Sequence, residues 1–319
     1  MVATRDRGAV TVRAYEPADA EAVCALLRAE EPQQVATPRS VHAQAVAMPA
    51  RQHCRLLVAL LDGRIAGCAR TGLFADAKDA GAAFVNINVA AADRGRGAGR
   101  ALLAAAETHL DAVGATTCYA WAHPEPGSEN FATAHGYRPG REARFMRLDL
   151  GPRSPLPTRP RLPRGVLLLP AVAWERDPRP LWRTDVECFR DEPGDVAADH
   201  LSYTDWRTLN WDRPDFDADL TTVAVVDGEV AGLVIAQTDG ERHYASGGTG
   251  IRRAFRGRGL AKAAKAHSLH LARAKGYREA STTNDDGNAP MLAVNIWLGY
   301  QLIGSERRYI RDLSPGRPA

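Results

Sequence analysis

A chain of 319 residues is long enough for two ordinary domains, each burying its own core. Hydrophobic residues at 45% and charged residues at 25% are the makeup of a globular protein and exclude a disordered one. The balance of 41 basic against 38 acidic residues, net +3, is too even to point to nucleic acid or a membrane surface as partner.

Residues 9–15 alternate as a strand, and 18–29 have helical spacing with Asp19 as cap. Residues 56–61 and 64–70, either side of Asp62-Gly63, predict a β-hairpin. A strand over 84–89, an alanine- and leucine-rich helix over 99–113 and a strand over 116–122 follow. A short helix before Gly136 and a closing strand over 144–150 complete the first half. Five prolines between Gly151 and Pro163 exclude a helix or central strand, so 151–164 reads as a stiff extended linker. The second half repeats the plan, with a hairpin over 221–226 and 229–238, a helix over 260–275 and a strand over 278–283. A helix over 289–298 and a closing strand over 306–313 end it. Hairpin strands followed by a strand–loop–helix–strand unit imply an α/β fold with a mixed sheet.

The halves also share landmarks. Asp62-Gly63, Arg94-Gly95-Arg96-Gly97, Gly136-Tyr137 and Arg144-Phe145-Met146-Arg147 return in the same order as Asp227-Gly228, Arg256-Gly257-Arg258-Gly259, Gly299-Tyr300 and Arg308-Tyr309-Ile310-Arg311. A duplicated fold is therefore expected, with domains at 1–150 and 165–319.

Cys24, Cys54, Cys68, Cys118 and Cys188 are scattered and odd in number, which disfavours a disulfide framework or zinc site and suits a reducing compartment. The nine histidines show no metal-binding spacing. Residues 1–7 lead into no apolar run and no stretch is long enough to span a bilayer, so a cytoplasmic protein is expected.

Each half runs a strand into an Arg/Gly loop that opens a helix: Arg94, Gly95, Arg96, Gly97, Ala98, Gly99 and Arg256, Gly257, Arg258, Gly259, Leu260, Ala261. Small residues admit a phosphate to the backbone, and free N–H groups at a helix start point at it. The loops match neither the P-loop nor the dinucleotide fingerprint.

Both loops match the acetyl-CoA signature Arg/Gln-x-x-Gly-x-Gly/Ala, and the chain resembles the GNAT superfamily of N-acetyltransferases over both halves. The resemblance implies two tandem GNAT-like domains whose loop amides hold the pyrophosphate of acetyl-CoA. It also implies that Val89 in one half, and Gly250 with Ile251 in the other, lie on a strand that parts from its neighbour to admit the pantetheine arm. The second half alone has Thr283-Asn284-x-x-x-Asn288-x-x-Met291-x-x-x-Asn295-x-x-Leu298-Gly299-Tyr300, similar to a motif of one GNAT branch. There the resemblance gives Asn288 a cofactor contact. It puts Asn295 where many relatives have a tyrosine that protonates the leaving thiolate, although an amide can only hydrogen-bond or orient water. The first half has Ala132 at that point, so the second half is expected to be catalytic, with Thr249 and Asn295 at its centre.

No acid stands on the strand before the second loop; His243, Tyr244, Ser246 and Thr249 are its polar candidates for a base. The expected reaction is direct acetyl transfer to the primary amine of a small molecule, by a monomer or homodimer. The rival expectation is a non-catalytic acyl-CoA-binding or regulatory protein, which turnover with an amine panel would separate.

Overall fold

A computed structural model describes residues 9–190, 194–196 and 201–313. The first half contains β1 (Thr11–Ala14), α1 (Ala20–Glu30), α2 (Pro38–Val46), β2 (Arg55–Leu61), β3 (Arg64–Leu73) and β4 (Ala82–Val89). It continues through α3 (Ala98–Ala112), β5 (Thr117–Ala122), α4 (Pro126–Ala134) and β6 (Arg138–Asp149). The second half contains β7 (Val166–Pro170), α5 (Arg179–Phe189), α6 (Tyr203–Trp206), β8 (Thr222–Val226), β9 (Glu229–Thr238) and β10 (His243–Ile251). It ends with α7 (Leu260–Ala274), β11 (Glu279–Asp285), α8 (Ala289–Leu298) and β12 (Gln301–Asp312). The hairpins β2–β3 and β8–β9 turn on Asp62-Gly63 and Asp227-Gly228, all four with positive φ, as the right-handed twist of paired strands requires. Helices α2, α5 and α6 have no counterpart in the sequence reading.

Two compact units are present, and neither is a continuous stretch. Of the described residues, one comprises those within 1–32, 36–140 and 308–319, the other those within 33–35 and 141–307. In the N-terminal unit the strands run β1-β2-β3-β4-β5 and are closed by the 308–312 end of β12, where Leu313 N donates to Thr116 O. In the C-terminal unit the order is β7-β8-β9-β10-β11, closed by the 141–149 part of β6, which pairs antiparallel with β11 from Glu279↔Asp149 to Asp285↔Ala143. Each closing strand thus completes the sheet of the opposite repeat. Arg144–Arg147 and Arg308–Arg311 carry nearly the same alternation, so sequence pattern alone has no means of assigning either to its sheet.

In the N-terminal unit Leu102, Ala106 and Leu110 of α3 pack on one face of the sheet, and Val23, Cys24 and Val41 of α1 and α2 on the other. In the C-terminal unit Ala266, Leu269 and Ala272 of α7 cover one face. An aromatic row of Trp182, Tyr203, Trp206, Trp211 and Phe216 gathers with Leu181 and Val223 in a second cluster. The proline-rich stretch forms neither helix nor strand and is fastened to α7: Arg273 donates to Ser154 O (2.7 Å) and His270 Nε2 lies 3.0 Å from Pro157 O. Among the described residues no helix is long and apolar enough to cross a membrane.

Candidate active site

In each unit two parallel strands pair and then part. β4 and β5 share only the pairs Ala82↔Thr117 to Phe84↔Tyr119, and β10 and β11 only His243↔Glu279 to Ser246↔Thr282. The gap opens toward the loop that starts the following helix. There Gly97 (φ 100°) and Gly259 (φ 75°) occupy the N-cap in the left-handed conformation, with no side chain capping the helix. The first intrahelical bonds are Ala101 N to Gly97 O and Ala263 N to Gly259 O, so the N–H groups of the first three helical residues of α3 and α7 face outward. That arrangement suits a phosphate. Arg94 and Arg256 fold back alike, donating from Nε to Val89 O (3.2 Å) and Ile251 O (2.8 Å).

The loops differ in their neighbours. Arg94 pairs with Glu30 and Glu125, and Arg96 with Asp93 and Asp62. The Arg64 guanidinium bonded to Asp93 holds that buried carboxyl below the usual carboxylate range. Arg258, by contrast, packs on the Phe255 ring and reaches only Ala254 O, with no carboxylate partner among the described residues.

The N-terminal unit holds a cavity of about 560 Å³ that runs from this loop into the β4–β5 gap. Val89, Arg94, Gly95, Arg96, Gly97, Ala98 and Gly99 all line it. Its deeper wall includes Ile87, Leu103, Ala132 and Tyr137, and its rim includes His123, whose Nε2 lies 3.3 Å from Glu31. No sequence signal marks that pair, because Glu31 and His123 are brought together by the fold alone.

In the C-terminal unit Gly250, Ile251, Arg256, Gly257, Arg258, Gly259, Leu260 and Ala261 take the corresponding places at the end of β10 and the start of α7. Asn288 caps α8 by accepting from Met291 N (3.3 Å). Asn295 is fully buried, donates from Nδ2 to Asn284 Oδ1, and leaves Oδ1 without a partner. Thr249 Oγ1 is likewise buried and unpartnered. The other polar residues of β10 are committed elsewhere. His243 Nε2 lies 2.7 Å from Ser281 Oγ at the paired end of the strand, and burial pushes its pKa down. Tyr244 Oη bonds Ser268 Oγ (2.7 Å). Trp206 is buried and donates Nε1 to Asp185 Oδ2 (2.7 Å). Burial pushes the Asp185 carboxyl up to about 7.

The sequence profile of the GNAT acetyltransferase family matches residues 21–137 and again 180–299. The chain belongs to the GNAT acetyltransferase family, with two copies in tandem. The chain is 29% identical over 220 residues to a mycothiol acetyltransferase of a Nocardioides species, covering 65% of this chain and 72% of that protein. It is 34% identical over 182 residues to a mycothiol acetyltransferase of Geodermatophilus obscurus, covering 56% of each. Among solved structures, a tandem GNAT protein from the clavulanic acid biosynthesis pathway superposes with a TM-score of 0.74. The identity is 23%, covering 97% of this chain and all of that one. The GNAT family uses acetyl-CoA as acyl donor, and the geometry fits one: a cleft between parting strands that ends on outward-facing helix amides and arginines.

Proposed function

We propose that the C-terminal unit of this tandem GNAT acetyltransferase transfers an acetyl group from acetyl-CoA directly to the primary amine of a small-molecule acceptor. One observation carries the choice of unit. Where the N-terminal cleft has Ile87 and Ala132, the C-terminal unit buries Thr249 and Asn295 with unsatisfied oxygens. Buried polar atoms without partners carry a free-energy cost of about 1–3 kcal/mol each, and they suit a ligand that completes them.

In this reading the amides of Leu260, Ala261 and Lys262, with Arg256 and Arg258, hold the pyrophosphate. Backbone N–H groups of 249–251 polarise the thioester carbonyl, and Asn295 donates its second Nδ2 hydrogen, the one not bonded to Asn284, toward the departing sulfur. Holding both substrates in one cleft supplies much of the rate. The relatives named mycothiol acetyltransferase support a small-molecule amine as the acceptor class. The scattered, unpaired cysteines support a cytoplasmic setting.

A second reading places the chemistry in the N-terminal unit. It is favoured by the open cavity of about 560 Å³ and by the His123–Glu31 pair at its rim, a ready proton acceptor. Calorimetric titration of acetyl-CoA into Gly99→Glu and Ala261→Glu variants separates the two. Both positions are helical, and a Cβ on Gly99 meets Phe131 and Val89 at 3.7 and 3.8 Å, ordinary contact. Gly97 and Gly259 are poorer choices because positive φ would strain any replacement. Ala261→Glu is expected to abolish transfer to an amine panel together with one binding event, and Gly99→Glu to remove at most the other binding event. Transfer lost only with Gly99→Glu would reverse the assignment.

A further inference from the structure

The two clefts can be matched residue by residue from backbone landmarks. Val89 pairs with Gly67 and Ile251 with Gly232 at equivalent places in β3 and β9, so Ile87 corresponds to Thr249. Gly97 and Gly259 both cap the following helix, and six residues on stand Leu103 and Lys265. Tyr137 N donates to Ala132 O and Tyr300 N to Asn295 O, which matches those pairs. Ile87, Leu103, Ala132 and Tyr137 together line one cavity of the N-terminal unit. Their counterparts are Thr249, Lys265, Asn295 and Tyr300, and all but Tyr137 change from apolar to polar.

Lys265 is the anomaly among them. It is 1% exposed on α7, its ammonium lies 5.7 Å from the centroid of the Tyr300 ring, and no described residue hydrogen-bonds or ion-pairs with it. Leu103 at the same place shows that the fold needs no amine there. A buried, unpaired lysine destabilises the unit unless a ligand engages it.

We propose that Lys265 is the proton donor to the coenzyme A sulfur in the C-terminal cleft. The inference rests on the reading that acetyl-CoA binds that cleft with its thioester between Thr249 and Asn295. The acceptor nitrogen forms its bond to the carbonyl carbon and the carbon–sulfur bond breaks, its electron pair passing to sulfur. Lys265 gives that sulfur a proton. The surplus proton on the new amide nitrogen leaves to water at the cleft mouth, and solvent returns one to Lys265. Asn295, which cannot give up a proton, holds the sulfur within reach.

The surroundings suit the role. Burial alone pushes Lys265 down to about 7, so both forms are present near neutral pH. The elements packed against α7 carry as titratable groups Glu229 of β9, ion-paired with Arg252, and His243 and Tyr244 of β10, with Tyr300 following α8. Burial holds both tyrosines neutral and pushes His243 down. Lys262 of its own helix is turned over the Trp297 ring at 4.3 Å, and no carboxylate contributes.

The test titrates the thiol of bound coenzyme A through its ultraviolet thiolate band, in full-length protein carrying Gly99→Glu to keep the ligand out of the other cleft. Lys265 and the bound thiol should titrate as a coupled pair, with part of the thiolate band appearing at about pH 7, well below the pH at which free coenzyme A ionises. Adding Lys265→Met should return ionisation to, or above, the free value while coenzyme A still binds. Its melting temperature should equal or exceed that of the parent, since an unpaired charge is replaced by an apolar chain. A titration unchanged by Lys265→Met overturns the proposal. Binding that survives Ala261→Glu in the same background overturns the underlying site as well, and loss or retention of binding tells the two failures apart.

Discussion

Arg94 and Arg96 of the N-terminal loop are engaged by Glu30, Glu125, Asp93 and Asp62, whereas Arg258 of the C-terminal loop meets no carboxylate among the described residues. Residues 252–262 carry Arg252, Arg253, Arg256, Arg258 and Lys262 with no acid, against Arg94, Arg96, Arg100 and Asp93 over 90–100. The deep ends diverge the opposite way. The N-terminal cleft has Ile87, Leu103 and Ala132 on its lining, where the C-terminal unit has Thr249, Lys265 and Asn295. On the proposed reading, the shared backbone sets where an acyl-CoA would lie, and the side chains decide how strongly its phosphates would be held and whether its sulfur would find a proton.

The largest effect that would break this comparison comes from Asn295→Leu. If the Asn295 amide faces the departing sulfur as proposed, removing it should lower kcat by about 100-fold with KM little changed. The reciprocal Ala132→Asn should leave transfer untouched. Equal effects from the two would erase the distinction between the clefts.

A smaller effect sharpens the loop difference. Arg258→Ala should weaken acetyl-CoA binding by about tenfold, the scale of one charge-assisted hydrogen bond. Arg96→Ala should change it by about twofold, because Asp93 and Asp62 already neutralise that guanidinium. Calorimetry at low and raised salt checks both, and the Arg258 effect should shrink as salt rises.

The smallest effect concerns stability. The buried face of α5 carries Asp185, whereas that of α1 carries Val23, Cys24 and Leu26. Asp185 rises from 3.8 unfolded to about 7 folded, so the folded state binds its proton more tightly. The wild-type protein should lose stability as pH rises from about 4 to about 7 and stay at that lower level above it. Asp185→Asn keeps an acceptor for Trp206 Nε1 without the charge, so its melting temperature should exceed wild type at pH 8 and converge with it near pH 4. Lys265, lowered from 10.5 to about 7, works in the opposite sense: its destabilisation grows as pH falls from about 10 to about 7.

Much of this was legible in the residues. Asp-Gly hairpins, the doubled Arg/Gly loops and the asparagine motif depend on local spacing, and local spacing survives without a fold. The Asn295 position was legible for the same reason, standing a fixed distance before Gly299-Tyr300. Lys265 was not, since a lysine within a helix looks solvated until the partner of each face is known. The Glu31–His123 pair is separated by most of a domain and left no local trace.

The sequence by itself determined the duplication, the mixed α/β fold and the two Arg/Gly loops that open helices, because each is written in contiguous residues with steric or hydrogen-bonding demands of their own. Only the tertiary structure decided which closing strand completes which sheet, which arginines keep free charge and which polar side chains are buried without partners. Those outcomes depend on what packs against a residue, and residues remote in the chain supply it.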